Sequence, residues 1–470
     1  MRRCFARWPP CHNERVIPLR VRRVEFARTP CRTRLPFRFG TVTVREADLL
    51  TCRLRAAADG AETHGWSADL LVPRWFRKDI AREPVEDAAA LEACAREAAR
   101  GFVAAGVGST AYLVRRVFAE RVETQPTDAP DLLERGFGVA LVERALLDAA
   151  CRAAGMPFAE ALRRDLFGAG AFDASPRAEI EVRHTVGMLD PLRASEISPA
   201  QRVNDGLPQA LEADVAAYGL RRFKVKIGAG FAADSARLLA LARLFADLDL
   251  DPRVTLDGNE QFENLDALAD LLEAVRAEPD GARLLARLDF IEQPLPRART
   301  FEAAANRGVA RVTVFAPLVL DEADARPDAL ARAAAFGWRG VSVKNCKGVL
   351  RALEAARFCA ARGGGLFQTS EDLTNLPVLP LQQDLCTATA LGLAHAERNG
   401  HHYFRGLDHL PATLQREALT AHPDLYRPLG AGAALRIEDG RLRLGSVLAA
   451  RGYGHDLGGH ADNLEAVAEA

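Results

Sequence analysis

The sequence predicts an α/β protein whose larger part is a parallel barrel, preceded by a smaller α+β domain. Two observations carry the barrel. From residue 178 onward, short β-branched apolar runs alternate with amphipathic stretches over roughly 220 residues, as parallel strands joined by crossover helices do. Several acidic residues and lysines each end one of those runs, about one strand–helix unit apart, which gathers them at one end of the fold. Seven or eight units suit a closed barrel better than an open sheet. No G-x-G-x-x-G or P-loop follows any of the runs, which disfavours a nucleotide-binding sheet.

The elements follow in order. Val16–Phe26 and Thr41–Leu54 read as strands, with Thr33–Gly40 as a loop between them and 57–80 as an irregular stretch. Helices are expected over 86–101, 109–122 and 130–153; the last has apolar residues at helical spacing through Val139–Asp148. A three-stranded sheet with a helical bundle makes a first domain of ordinary size. Strands are then expected at 180–186, 223–227, 254–256, 287–291, within 312–320, at 341–343 and at 365–368. Helices are expected between them at 207–218, 232–247, 264–276, 299–307, 327–336 and 348–362, with a last helical unit over 373–395. Ala434–Leu444 reads as a hairpin about Asp439-Gly440. The expected divisions are a tail at 1–15, a capping domain at 16–176, a barrel at 177–415 and a segment at 416–470 that returns to the first domain.

Bulk properties narrow the function. At 470 residues and 49% hydrophobic content the chain can build a large core. A net charge of −1 gives no electrostatic case for nucleic acid or an anionic membrane. No apolar run reaches the ~18–20 residues of a membrane span, and the N-terminus lacks the apolar core of a secretory signal. The nine cysteines are scattered, odd in number and without a C-x-x-C pair, so a reducing, cytoplasmic setting is expected.

Lysine usage points to the chemistry. Of 62 basic residues only five are lysine: Lys78, Lys224, Lys226, Lys344 and Lys347. Arginine stays protonated at any working pH, whereas lysine can be tuned to act as a base. Four of the five fall in two short clusters, Lys224-Val-Lys226 and Lys344-Asn-Cys-Lys347. Between the clusters Asp257, Glu292 and Asp321 end successive apolar runs, 35 and 29 residues apart. In a barrel all three reach its C-terminal mouth, where they would repel one another unless a cation joined them. Oxygen-only ligands favour Mg²⁺ over zinc, and no histidine occurs between His184 and His395. Glu322 competes with Asp321 for the ligand role, and Asn259 and Glu260 stand close behind Asp257. Strand alternation puts Lys224 and Lys226 on one face and turns Asp289 away from it. Lys344 ends a strand roughly across the barrel, so two lysines could serve opposite faces of one substrate. Lys78 reads as a solvated or salt-bridged lysine, and Lys347 more as a salt-bridged lysine than as a site residue.

These motifs resemble the enolase superfamily, specifically its muconate-lactonising and dipeptide-epimerase branch. Phe223-Lys-Val-Lys-Ile-Gly228 resembles that branch's K-x-K strand. Leu256-Asp-Gly-Asn259, Ile291-Glu-Gln-Pro-Leu295 and Leu320-Asp-Glu-Ala323 resemble its three metal-ligand strands, and Val341-Ser-Val-Lys-Asn-Cys-Lys-Gly348 the strand of its second lysine. The resemblance spans residue 17 to the C-terminus, with Pro36–Gly40 similar to the loop that covers the active site. It implies a modified TIM barrel, (β/α)₇β, under an N-terminal α+β cap, with Mg²⁺ held by Asp257, Glu292 and Asp321. It further implies a small-molecule carboxylate substrate whose α-proton leaves through a metal-stabilised enediolate. Lys226 and Lys344 would be the opposed acid/bases, and Lys224 would help neutralise the substrate carboxylate. Homo-oligomers are common in the family.

The implied activity is a racemase or epimerase. A lyase or cycloisomerase on the same scaffold, as in succinylbenzoate synthases and muconate cycloisomerases, is the rival, and a non-enzymatic binding protein is a third reading. The seventh barrel strand, Leu366–Asp372, lacks the histidine of the mandelate-racemase mechanism, and the last strand lacks the Asp-x-Asp pair of many dipeptide epimerases. Substrate contacts are expected from Arg38, Glu371 and Asn259, with Arg34, Trp66, Trp75, Asp372, Glu397, Asn399, His401 and His402 as further candidates.

Overall fold

The computed structural model describes residues 16–79, 81–456 and 464–469. The tail expected at 1–15 lies outside them. Strands β1 (Leu19–Phe39), β2 (Val42–Ala58) and β3 (Ala61–Leu70) form an antiparallel meander. The loop expected at Thr33–Gly40 is instead the bulged outer part of β1. Register slips between Arg32 and Phe37, and Phe37–Phe39 then rejoin Val42–Val44. A bulge absorbs extra residues and bends the strand, and Pro36, with no N–H to give the ladder, is suited to it. The irregular stretch expected at 57–80 contains β3. A two-residue turn at Asp59-Gly60, with φ of 48° and 86°, sends the chain straight back from β2, as a tight hairpin requires.

Helices α1 (Pro84–Ala104), α2 (Thr110–Phe118), α3 (Leu132–Ala154) and α4 (Phe158–Arg163) follow, with the two-residue strand β4 (Val107–Gly108) pairing with β1. Helix α3 is buried along nearly its whole length. A Cβ at Gly65 would stand 2.0 Å from the Ala145 carbonyl oxygen, so β3 meets α3 backbone to backbone. The charged residues of α3 are all answered. Arg144 pairs with Asp69, Asp148 accepts from the Trp66 and Tyr453 amides, and Glu143 accepts from the Leu350 amide at 2.7 Å.

The barrel strands are β5 (Glu179–Val186), β6 (Arg222–Lys226), β7 (Arg253–Asp257), β8 (Leu288–Glu292), β9 (Leu318–Leu320), β10 (Gly340–Val343), β11 (Phe367–Ser370) and β12 (His395–Arg398). They are parallel in sequence order, and β12 closes on β5. Helical segments join them: α5 (Leu211–Tyr218), α6 (Phe231–Asp247), α7 (Leu265–Arg276), α8 (Pro279–Leu285), α9 (Val309–Thr313), α10 (Ala329–Ala334), α11 (Val349–Arg362) and α12 (Leu379–Ala390). Seven strand–helix steps and a final strand make the (β/α)₇β barrel. The helix expected at 299–307 is a run of turns. The Pro296 carbonyl takes the amides of Arg299 and Thr300, and α9 begins only after Gly308, at φ 85°.

After the barrel, β13 (Tyr426–Leu429) and β14 (Gly432–Leu435) form their own hairpin, and β15 (Arg441–Arg443) runs antiparallel on β5. The turn expected at Asp439-Gly440 forms, but its arms join different partners. Gly440 donates to the Tyr218 carbonyl at 2.7 Å and accepts from Val182 at 2.8 Å, which pins the turn to α5 and β5. Strand β16 (Glu465–Glu469) pairs with β1.

Candidate active site at the barrel mouth

Barrel alternation fixes what enters the interior. On β6, Phe223 and Val225 face the surrounding helices, so Lys224 and Lys226 face in. Lys224 is 1% exposed, and its ammonium lies 3.0 Å from Asp257, 2.7 Å from Glu292, and 2.8 Å from both Glu371 and Glu397. Burial alone would lower its pKa, but the surrounding carboxylates hold it well above its ordinary value. Lys226 donates to Asp257 at 2.6 Å, and Lys344 to Asp321 at 2.6 Å.

The three carboxylates expected at the mouth end β7 and β8 and follow β9, and all are buried. Their surroundings differ. For Asp257, burial raises the carboxyl, but Lys224 and Lys226 outweigh it and hold it below the usual range. For Asp321, burial is outweighed by Lys344 and Lys347. Glu292 is pushed well above its ordinary value, first by burial and then by Asp257 and Glu371, against the pull of Lys224. Oε1 of Glu292 has no hydrogen-bond partner, and neither has Oδ1 of Asn259. A buried carboxylate oxygen without a donor is costly. That orphan, with an oxygen-only donor set on three adjacent strands, fits a hard divalent cation. Lys224 stands between Asp257 and Glu292, and Lys344 holds Asp321, so these ammoniums would yield ground to the ion.

Two residues behind the mouth support the set. Gln293 accepts from the Asp321 amide at 2.9 Å, and Ser342 donates to Asp321 at 2.5 Å. The Glu322 carboxyl, beside Asp321, is raised to about 7 by burial, Asp321 and Glu260. It accepts from Asn259 at 3.3 Å.

The cap closes over the mouth from two sides. Phe39, at the tip of the β1–β2 hairpin, lies with its ring 5.9 Å from the Lys226 ammonium. Trp75, in the segment after β3, lies with its ring 4.3 Å from the Lys344 ammonium. Arg297 ties that segment down by donating to the Trp75 and Phe76 carbonyls at 2.7 and 2.6 Å while pairing with Glu260 at 2.8 Å.

Other expected residues fall as follows. Glu371 is buried between Lys224 and Arg183. Glu397 also enters the interior, taking the Thr185 hydroxyl at 2.7 Å. Arg38 is exposed, and Phe39 beside it is the hairpin residue facing the lysines. Arg34 is committed to Asp205 at 2.5 Å and to the His402 carbonyl at 2.8 Å. Lys78 pairs with Glu260, and Lys347 bonds Ser342 at 2.7 Å and Asp324 at 3.0 Å, behind Asp321. Asp289 turns outward to Arg222 and Arg253. Arg183 escaped the sequence reading. Its signal was an Arg alternating with Thr185 on one face of β5, opposite Ile180 and Val182.

A closed parallel barrel, a cap closing its mouth, and acids and lysines gathered beneath mark this end of the barrel as the candidate active site. The chain belongs to the enolase C-terminal domain-like family, whose model matches residues 207–456. Members of that superfamily are metal-dependent isomerases and lyases, and this chain is an enzyme of that kind. Similar solved structures share the fold. An enolase from Bradyrhizobium complexed with magnesium and mandelic acid is 18% identical, with TM-score 0.59 over 90% of this chain and 93% of the other. A muconate lactonizing enzyme from Pseudomonas fluorescens complexed with muconolactone is 18% identical, with TM-score 0.60 over 93% and 97%. A dipeptide epimerase from Cytophaga hutchinsonii complexed with Mg and D-Ala-L-Val is 14% identical, with TM-score 0.59 over 88% and 96%. No curated protein matches the chain. Among the described residues no helix is long and apolar enough to cross a membrane.

Proposed function

We propose that the protein racemises or epimerises a small carboxylate at its α-carbon, with Lys226 and Lys344 as the opposed acid and base. One observation carries this reading. Lys226 ends the second barrel strand and Lys344 follows the sixth, half-way round an eight-stranded barrel, with the three carboxylates on the strands between. A substrate held over those carboxylates meets an amine on each face, as a two-base inversion needs. Asp257, Glu292 and Asp321 would hold Mg²⁺, which supplies electrostatic stabilisation of the charge that develops on the substrate carboxylate. Lys224 adds a fixed positive charge beneath the same carboxylate. Lys226 removes the α-proton on the Phe39 side and Lys344 delivers one on the Trp75 side. The two rings exclude water from the amines.

The rival is a lyase or cycloisomerase with one working base. The contact of Lys344 with the Trp75 face favours it, because an aromatic face stabilises the ammonium form. In that case Lys344 stays a cation that balances the substrate's developing charge.

Proton exchange in D₂O with Mg²⁺ separates the two. N-acyl amino acids, dipeptides, hydroxy acids and cyclohexadiene acids would be followed by mass and chirality for the parent, Lys226→Ala and Lys344→Ala. The two-base reading expects α-deuteration with inversion, each variant losing exchange from one enantiomer by about 10²-fold or more. Loss of mass or ring closure, with only one lysine needed as base, gives the reaction to the lyase or cycloisomerase. A broad panel without Mg²⁺-dependent exchange sinks both.

A further inference from the structure

A second cluster of titratable groups lies outside the barrel interior. His184 sits on β5 with its side chain on the outer face, opposite Arg183 and Thr185. His402 lies in the short helix after β12, and Asp214 lies on α5. All three are buried to 2% exposure or less. Among the described residues, their ligand atoms form a His/Asp trio lying within 4.8 Å of one another.

The arrangement is poor as a hydrogen-bonded network. Nδ1 of His402 is 3.1 Å from Asp214 Oδ2 and Nε2 of His184 is 4.0 Å from the same oxygen. Yet neither oxygen of Asp214 nor either nitrogen of His402 reaches hydrogen-bond geometry. A fully buried carboxylate without a donor calls for positive charge beside it, from an imidazolium or a metal ion. His402 and Asp214 stand as far apart as neighbouring ligands round a small metal ion, a little over 3 Å at bond lengths of about 2 Å, and His184, at 4.0 Å, would have to draw in to join them.

Groups behind the trio orient it. Nδ1 of His184 lies 3.0 Å from Nε2 of His401, which leaves Nε2 of His184 turned to Asp214. Nε2 of His402 faces Asp190 at 3.9 Å, and Asp190 is itself held by the Gly187 amide at 2.6 Å and the Tyr403 hydroxyl at 2.5 Å. Metal-binding histidines characteristically engage a further partner through the other ring nitrogen.

We propose that His184, Asp214 and His402 form a structural metal site for zinc or a similar nitrogen-binding divalent ion, separate from the oxygen-only site in the barrel. Two imidazoles and one carboxylate select such an ion over Mg²⁺. The site clasps three elements. Strand β5, helix α5 and the segment after β12 meet there at the seam where the barrel closes, and Arg34 of β1 anchors on the His402 carbonyl. The metal would lock that seam and, through Arg34, the base of the covering hairpin.

The full chain would be purified without chelators or metal-affinity resin and its metals measured by plasma mass spectrometry. About one zinc per chain is expected. His184→Gln and His402→Gln should bring it to background, while Asp257→Asn retains it. Replacing the ion with Co²⁺ should give the intense visible absorption of a four-coordinate centre, which an oxygen-only six-coordinate site lacks. That spectrum, recorded on the parent and on Asp257→Asn, decides the matter even if the histidine variants fail to fold. The proposal is overturned by a parent chain with neither transition metal nor the Co²⁺ spectrum, which would leave Asp214 balanced by a His402 imidazolium. It is equally overturned by zinc that survives in both histidine variants and disappears in Asp257→Asn.

Discussion

At the residue scale, buried ionisable groups set the conditions under which the protein holds together. Glu143 shows this away from the active site. Burial, the largest influence, pushes its carboxyl up to about 7 from an ordinary 4.5, against the pull of the Leu350 amide and Arg144. Below about pH 4.5 the group is protonated whether the chain is folded or not, and it adds nothing. Between about 4.5 and 7 the unfolded chain gives up this proton more readily, so stability is lost as pH rises through that window. The loss amounts to about 3 kcal/mol and is complete above it. Glu143→Gln keeps an oxygen for the Leu350 amide and removes the titration. Urea unfolding from about pH 5 to 8 should show the variant gaining on the parent across the window. Parallel profiles would show that Glu143 does not carry the shift.

At the scale of elements, helix α3 links the sheet of the cap to the barrel. Helix α3 reaches the sheet through Gly65 and Asp69 and reaches α11, just past Lys344 and Lys347, through Glu143. Gly65→Ala puts a methyl group 2.0 Å from the Ala145 carbonyl oxygen, and backbone must move to admit it. The expected cost is about 3 kcal/mol. Thermal melts should fall by several degrees, with the proton-exchange activity below the melt reduced as α3 shifts against α11. An unchanged melting temperature would mean that β3 and α3 are not so closely apposed. The element scale is also where the sequence misled. Thr33–Gly40 looked like a loop because Pro36 interrupts the strand pattern, yet a bulge carries β1 through it. Residues 57–80 looked irregular because Gly60 and Gly65 break the run, although one glycine serves a hairpin turn and the other a helix contact.

For the molecule as a whole, the mouth concentrates charges of both signs whose balance decides both stability and ligand binding. Five carboxylates, Asp257, Glu292, Asp321, Glu371 and Glu397, meet three inward lysines and Arg183 there, so a divalent cation and an anionic substrate are complementary additions. Mg²⁺ that binds only the folded chain stabilises it by mass action, by about 2.7 kcal/mol at a hundredfold excess over the dissociation constant. Melting temperature should therefore rise with Mg²⁺ in the parent and respond far less in Asp257→Asn with Glu292→Gln. An equal rise in that double variant would place the ion elsewhere.

The sequence by itself determined the parallel barrel and the inward face of the lysine strand. Both follow from periodicity: alternation of period two decides which side chains enter a barrel, and strand ends one unit apart share one rim. It also pointed to Asp257, Glu292, Asp321 and Lys344, since each closes an apolar run, and to Lys224 and Lys226 through their alternation on one strand. Tertiary structure alone decided what lies opposite. That Phe39 and Trp75 cover Lys226 and Lys344, that Arg183 backs Glu371, and that His184 meets Asp214 and His402 outside the barrel depend on contacts between residues far apart along the chain. Local pattern records which face a side chain takes. It does not record what the rest of the chain brings to that face, because burial and partnership are properties of the packed whole.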